Sequence, residues 1–243
     1  MKGVILAGGR GTRLYPLTTV VNKHLLPVYN KPMIYYPIET LKKAGCTDIL
    51  IVTGGKNAGE FLELLKNGKD FGLNSITYSY QENPTGGIAD ALSLAEPFVG
   101  TNKFMLILGD NLLFDDFSED VIDFCKNGHN QARVFIKQVP NPSSFGVAEV
   151  KDNKVIAIIE KPKTFVSNWA VIGLYLYDYN VFGIIKHIVP SHRGELEITD
   201  VNMAYVNTGT LTSSVVNGIW LDTGSFDSLH DANTYVAKMS ETK

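Results

Sequence analysis

Short apolar runs without polar alternation punctuate the first half of the chain: Val4–Ala7, Ile49–Thr53, Ile76–Tyr80 and Phe104–Leu108. Such runs suit strands buried on both faces, the condition of a parallel sheet between helices. Met33–Gly45, Asn57–Asn67 and Ile88–Phe98 lie between them and read as helices. Ala58, Leu62 and Leu65 share one face at helical spacing, and Ala89, Leu92 and Glu96 begin a less regular one. Strand–helix–strand alternation predicts an α/β, doubly wound domain.

The second half breaks that rhythm. Arg133–Val139, Phe145–Val150, Val155–Ile159, Trp169–Tyr177 and Leu211–Val216 read as strands with few helices between them, which predicts mixed pairing. Asn180–Ile188, Glu197–Asn207 and Ser225–Lys238 read as helices. Pro140–Ser144 and Pro162–Asn168 are loops, too short for linkers, and Ser240–Lys243 is expected to fray.

Composition narrows the classes. The 243 residues are 44% apolar, with 25 acidic and 22 basic side chains and a formal net charge of −3. That balance supports a buried core and argues against a disordered chain or one that coats nucleic acid. No apolar stretch approaches the roughly 18 residues of a membrane span, and the opening run is too short for a signal peptide. Cys46 and Cys125 are far apart and unpatterned, as reduced thiols of a cytoplasmic protein would be, a single disulfide being the alternative. The five histidines are scattered with no H-E-x-x-H, which argues against zinc. There is no G-x-S-x-G elbow either.

Candidate chemistry sits at the carboxyl ends of the strands, where open parallel sheets collect ligands. The first run ends in Gly8-Gly9-Arg10-Gly11-Thr12-Arg13. Glycines there permit positive φ, so that backbone N–H groups converge on an anion. Arg13 adds a fork of donors matched to phosphate, and Lys23 a second positive charge. The dinucleotide fingerprint lacks its third glycine, since Leu14 stands there, which disfavours a dehydrogenase. No G-x-x-x-x-G-K-[ST] occurs, because Gly55-Lys56 runs into Asn57 and Gly68-Lys69 into Asp70.

Asp110 follows Gly109 at the end of an apolar strand, and Asp222 ends another apolar run before Gly224. Each reads as a turn residue or as a Mg2+ ligand, since Mg2+ in nucleotide sites takes one or two carboxylates plus phosphate oxygens. Glu160 and Lys161 end the strand Val155–Ile159; Lys161 reads as a surface ion-pair partner or as a clamp on a second anionic substrate. The charged segment Arg193–Asp200 reads by default as a solvated helix start.

The run Leu6–Thr18, with Asn22-Lys23 and Leu25–Pro37, resembles the sugar-1-phosphate nucleotidylyltransferases. The likeness extends through Leu108–Asn111, Glu160–Lys163, Ser167–Val171, Arg193–Asp200 and Trp220–Gly224, nearly the whole chain. It implies a Rossmann-like, mostly parallel sheet of the nucleotide-diphospho-sugar transferase type. It further implies one domain over residues 1–243, with a nucleotide half to about 110 and a sugar-phosphate half over about 111–239. Nearest are the members that use dTTP and glucose 1-phosphate in nucleotide-sugar biosynthesis for the dTDP-rhamnose route; a UTP-using enzyme and a non-catalytic nucleotide-sugar-binding subunit are the alternatives.

That resemblance places the nucleotide on Leu6, Gly8, Gly9, Gly11, Thr12, Arg13 and Asp110, with the triphosphate on the loop from Gly8 to Arg13 and Lys23 near the α-phosphate. Gln81 with Gly86 or Gly87 would take the base. Asp110 and Asp222 would hold Mg2+. Asn111, Gly146, Glu160, Lys161 and Val171 would hold the sugar phosphate, and Arg13, Lys23 and Lys161 would be catalytic. The segment Gln81–Ile88 is one residue longer than usual, so Gly86 and Gly87 compete for the base. His24 stands where the family commonly has Gln. A homotetramer is implied as well.

Overall fold

The computed structural model describes residues 1–55 and 57–241. Along the chain run β1 (Lys2–Ala7), β2 (Pro27–Val28), β3 (Lys31–Pro32), α1 (Tyr35–Lys43), β4 (Asp48–Gly54), α2 (Ala58–Leu65) and β5 (Ser75–Gln81). There follow α3 (Ile88–Ser93), α4 (Glu96–Val99), β6 (Phe104–Leu108), β7 (Asn111–Leu113), α5 (Ser118–Lys126) and β8 (Ala132–Gln138). The remainder is β9 (Gly146–Lys151), β10 (Lys154–Glu160), β11 (Trp169–Tyr177), α6 (Val181–Ile185), α7 (Ile198–Asn207), β12 (Leu211–Val215), β13 (Trp220–Asp222) and α8 (Phe226–Glu241).

β1 lies at the heart of the main sheet, parallel to β4 on one side and β6 on the other, and β5 extends β4 in parallel. β11 then joins β6 antiparallel, β8 and β9 pair with β11, and β12 runs parallel to β8. The sheet is therefore parallel in its first half and mixed in its second, as the two rhythms of the sequence predict. Successive β1 residues feed opposite layers: Val4 and Leu6 pack with Leu92, Phe182 and Val201, whereas Ile5 and Ala7 pack with Ile38, Phe61 and Phe124. Both faces are buried, which is why these strands carry no polar alternation. A third cluster seats Leu229, Ala232 and Val236 of α8 on Leu14, Val28 and Leu112, bracing the segment that follows β1.

Several expectations need correction. α2 buries Phe61 and Leu65, while Leu62 is 57% exposed, so the core-facing stripe is set by Phe61 rather than Leu62. The helix expected over Ile88–Phe98 is two: Pro97 lacks an N–H and its ring collides with the carbonyl four residues back, ending α3 at Ser93. α5 was not anticipated; it turns only Val121 and Phe124 inward and leaves Ile122 exposed. Ser240 and Glu241 close α8 instead of fraying, and Thr242 and Lys243 lie outside the described residues, as does Lys56. Cys46 is buried and Cys125 exposed, and both are free thiols. Among the described residues no helix is long and apolar enough to cross a membrane.

Candidate active site

The parallel strands end together. Leu6 is level with Leu108, Ala7 with Thr53, and Gly54 with Gln81, so the loops after β1, β4, β5 and β6 share one rim. Beyond β6, Gly146 stands opposite both Glu160 and Val171, which sets three expected sugar-phosphate residues side by side on neighbouring strands. Asp222 pairs with Asn111 across β13 and β7, and Thr223 N–H donates to Asp110 O at 3.0 Å. Both expected metal ligands thus come to one place.

Three cavities open along this rim. The first, about 250 Å³, is walled by Leu6, Ile88, Ala91 and Leu108, with Gly8, Gly9, Lys23, Gln81, Gly87 and Asp110 around them. A second, about 180 Å³, holds Asn111, Gly146, Glu160, Lys161, Val171, Arg13, Asp110 and Asp222. The third, about 230 Å³, is lined by Gly8, Gly9, Thr12 and Lys23. Asp110 belongs to the first and second, Lys23 to the first and third, and Lys23 Nζ donates to Asp110 Oδ2. That ion pair is the junction of the whole groove.

The glycine loop works differently from the expectation. Of its three glycines only Gly11 has positive φ, at 63°, and it turns the chain rather than lining a cavity; its carbonyl accepts from Thr18 Oγ1 at 2.8 Å. Gly8 is needed for space, because a Cβ there would stand 2.5 Å from Gln81 Oε1. Arg13 does not join Gly8 and Gly9. It joins Asp222 in the lining of the second cavity and lies against Gly224. Gly87 lines the first cavity at φ 91°, whereas Gly86 faces Asp90, whose Oδ2 would be 2.2 Å from a Cβ on Gly86. Of the two, Gly87 is the one beside the cavity.

Charge is distributed unevenly between the two aspartates. Burial disfavours a charge on Asp110, but the charge of Lys23 above all, with the hydrogen bonds from Lys23 and the amide of Asn111, outweighs it and holds the carboxyl well below the usual range. Asp222 is pushed up to about 6, by burial first and then by the negative charge of Asp110, with Lys23, Arg13 and Lys161 pulling the other way. Two oxygen-donor carboxylates that repel each other beside a cavity form a donor set suited to a hard divalent cation. Among the described residues no cluster of three or more His, Cys, Asp or Glu converges.

Asn111 lines the second cavity, yet its side chain is committed internally. Its Oδ1 accepts from Trp220 Nε1 at 2.6 Å and Gly173 N at 3.1 Å, and its Nδ2 donates to Asp110 Oδ1 at 3.1 Å. It aims Asp110. His24 is buried, with Nδ1 2.8 Å from Asn22 Oδ1; burial and then the Lys23 charge lower it to about 3, so its ring is neutral.

Glu160 is oriented by Thr199 Oγ1, which donates to Oε2 at 2.6 Å. Lys161 takes φ 41°, its N–H donates to Phe145 O at 3.0 Å, and its side chain is 47% exposed with Nζ 3.8 Å from Glu160 Oε1. It is held firmly at the backbone, with a half-exposed tip loosely paired to Glu160. The segment read as a solvated helix start is instead a cluster: Arg193 Nη2 lies 2.8 Å from Glu197 Oε2, 3.1 Å from Glu195 Oε2 and 3.6 Å from Glu160 Oε1. Glu195 lines the first cavity and Glu160 the second. Thr199 and Trp220 were missed as site residues. Both lie in motifs already noted, but their partners, Glu160 for Thr199 and Asn111 for Trp220, are distant in sequence and meet them only in the fold.

The nucleotidyl transferase family model matches residues 2–239. A glucose-1-phosphate thymidylyltransferase of Neisseria meningitidis is 46% identical over 97% of this chain and 82% of that protein. One from Mycolicibacterium smegmatis is 45% identical over 97% and 82%. A Bacillus anthracis crystal structure in complex with sucrose, named provisionally as a glucose-1-phosphate thymidylyltransferase, is 48% identical and superposes with a TM-score of 0.91 over 97% of this chain and 94% of that one. With its rim groove, its paired aspartates and these relatives, the chain belongs to the nucleotidyl transferase family, whose members transfer a nucleotidyl group to a sugar 1-phosphate.

Proposed function

We propose that this chain transfers the thymidylyl group of dTTP to glucose 1-phosphate and releases pyrophosphate, with Mg2+ as the metal and one domain carrying both substrates. The observation that carries this reading is the junction: the Lys23–Asp110 pair stands where an apolar-walled cavity, a glycine-lined cavity and a carboxylate-lined cavity meet. The apolar walls of the first suit a base, with Gln81 and the Gly87 backbone at its edge. Gly8, Gly9, Thr12 and Lys23 suit the triphosphate. Glu160, with its oxygens turned by Thr199, suits sugar hydroxyls, and Lys161 suits the sugar phosphate. The curated relatives named for this activity support the same substrates.

Chemically the task is to bring two polyanions together. A phosphate monoester has a second pKa of about 6, so at neutral pH glucose 1-phosphate is already a dianion and needs no general base. One of its phosphate oxygens attacks the α-phosphorus of dTTP in line. A new P–O bond forms, the bond from the α-phosphorus to the bridging oxygen breaks, and its electron pair leaves with pyrophosphate. Two like charges about 4 Å apart repel by about 4 kcal/mol at an effective dielectric near 20, and several such pairs arise here. Lys23 at the junction, Lys161 on the sugar side and Arg13 beside Asp222 offset that repulsion and hold the reacting atoms in line. Nucleotidyltransferases of this family generally need a divalent metal; Asp110 and Asp222 would hold Mg2+, which supplies positive charge against the phosphates when bound.

The test is pyrophosphate release from dTTP, UTP, CTP, ATP and GTP, each with glucose 1-phosphate and Mg2+. dTTP should lead. UTP lacks the methyl group, worth about 0.8 kcal/mol or roughly fourfold when buried, and carries a 2′-hydroxyl besides, so it should be turned over more slowly than dTTP. Pyrophosphate release from none of the five, or faster release from a purine nucleotide, would overturn the assignment.

A further inference from the structure

Gln81 ends β5 with its amide in the wall of the first cavity, and the orientation of that amide is settled by a neighbour outside the residues so far assigned. Gln81 Nε2 donates to Asp90 Oδ2 at 2.8 Å and points at Gly87 O at 3.4 Å. Both partners can only accept, so the nitrogen must face them. The oxygen is thereby turned the other way, towards Gly8, and no donor among the described residues bonds it. Asp90 lies in the first turn of α3 and is half-buried. Its carboxylate reaches Gln81 only because Gly86 has no side chain. Three features therefore serve one bond: glycine at 86, the acid at 90 and the amide at 81.

We infer that Asp90 is a specificity-determining positioning residue, which fixes the Gln81 amide so that the cavity presents a hydrogen-bond acceptor to the base. This rests on the reading that the first cavity takes the base. An acceptor at that place matches the N3–H of an imide base such as thymine or uracil. Cytosine offers a lone pair at N3, so oxygen would meet oxygen-like density and the buried acceptor would go unpaired. Sites built around one hydrogen bond reject analogues that cannot make it far better than apolar pockets reject a methyl group. Were the amide free to flip, its NH2 would face the cavity and that discrimination would disappear.

The experiment compares kcat/KM for dTTP and dCTP, with glucose 1-phosphate and Mg2+, in the parent protein and in Asp90→Asn. Asn is isosteric but lets either end of the Gln81 amide face it. The dTTP:dCTP ratio should fall at least about tenfold, through a raised KM for dTTP, with KM for glucose 1-phosphate unchanged and Asp90→Glu restoring part of the ratio. A second arm needs no substitution: dTTP methylated at N3 lacks the donor and should be a substrate at least about tenfold poorer than dTTP for the parent. An unchanged ratio in Asp90→Asn, with both nucleotides losing activity equally, would make Asp90 merely structural. Full activity with N3-methylated dTTP would likewise overturn the inference. Absence of dTTP turnover in the parent would instead overturn the thymidylyl assignment itself.

Discussion

Arg13 lies against Gly224 so closely that a Cβ on the glycine would stand 2.4 Å from Nη2 and 3.0 Å from Cζ. The residue after the Asp222-Thr223 pair is therefore part of how Arg13 is aimed. The obstructed atoms are the far end of a flexible side chain, which can swing away at little cost in stability. Gly224→Ala should lower kcat at least about tenfold by displacing Arg13, while the unfolding midpoint stays near that of the parent. Steady-state kinetics beside thermal unfolding separates the two effects, and an unchanged kcat would show that Arg13 needs no such seat.

Direct removal of the cations should cost more. Arg13→Ala and Lys161→Ala should each slow turnover by about 100-fold or more, the scale of a lost contact to developing charge. For Lys161 the loss should fall on kcat, since the group meets a phosphate whose charge is redistributed in the transition state. Single-turnover measurements at saturating substrates are the check, and near-normal rates would remove the role given to either residue.

Asn111 joins three elements through one amide: its oxygen serves Trp220 of β13 and Gly173 of β11, and its nitrogen serves Asp110. Truncation leaves buried donors without an acceptor, at about 1–3 kcal/mol each. Asn111→Ala should destabilise the protein by about 2–4 kcal/mol in denaturant unfolding and weaken activity as well. A loss below about 0.5 kcal/mol, the ordinary surface range, would mean that these donors find other partners.

His24 makes stability sensitive to acid. Unfolded, it takes a proton below about 6.5; folded, it stays neutral until about 3, because burial and then the Lys23 charge oppose protonation. The unfolded state thus binds more protons across that window, and stability is lost as pH falls through it. At pH 5 the loss is about 2 kcal/mol. His24→Gln should remove that loss, so the stability of the variant relative to the parent should rise by this amount between pH 7.5 and pH 5. Parallel pH dependences would show that the ring is protonated in the fold.

The sheet was legible because β1, β4 and β6 are packed on both sides, a condition written in consecutive apolar residues. Chemistry at the strand ends was legible for the same reason: Gly8, Gly109 and Asp110 follow those runs directly. What could not be read was reach. Arg13 adjoins the glycine loop in sequence, yet its long side chain belongs to the second cavity, beside an aspartate brought near by the β13–β7 pairing. Gly86 and Gly87 look equivalent in sequence, and only the fold separates them, placing Gly87 on the cavity and Gly86 against Asp90. Phe61 and Leu62 both fit a helical stripe, and the sheet beneath α2 decides between them.

The most direct test of the mechanism is a crystal structure of the protein soaked with the nucleotide sugar dTDP-glucose. The base should lie in the cavity of Gln81 and Gly87 and the glucose against Glu160, Gly146 and Val171. The diphosphate should cross the junction at Asp110, with Lys161 turned onto it. A nucleotide sugar bound along the rim in another order, or with Lys161, Lys23 and Arg13 all directed into solvent, would contradict it.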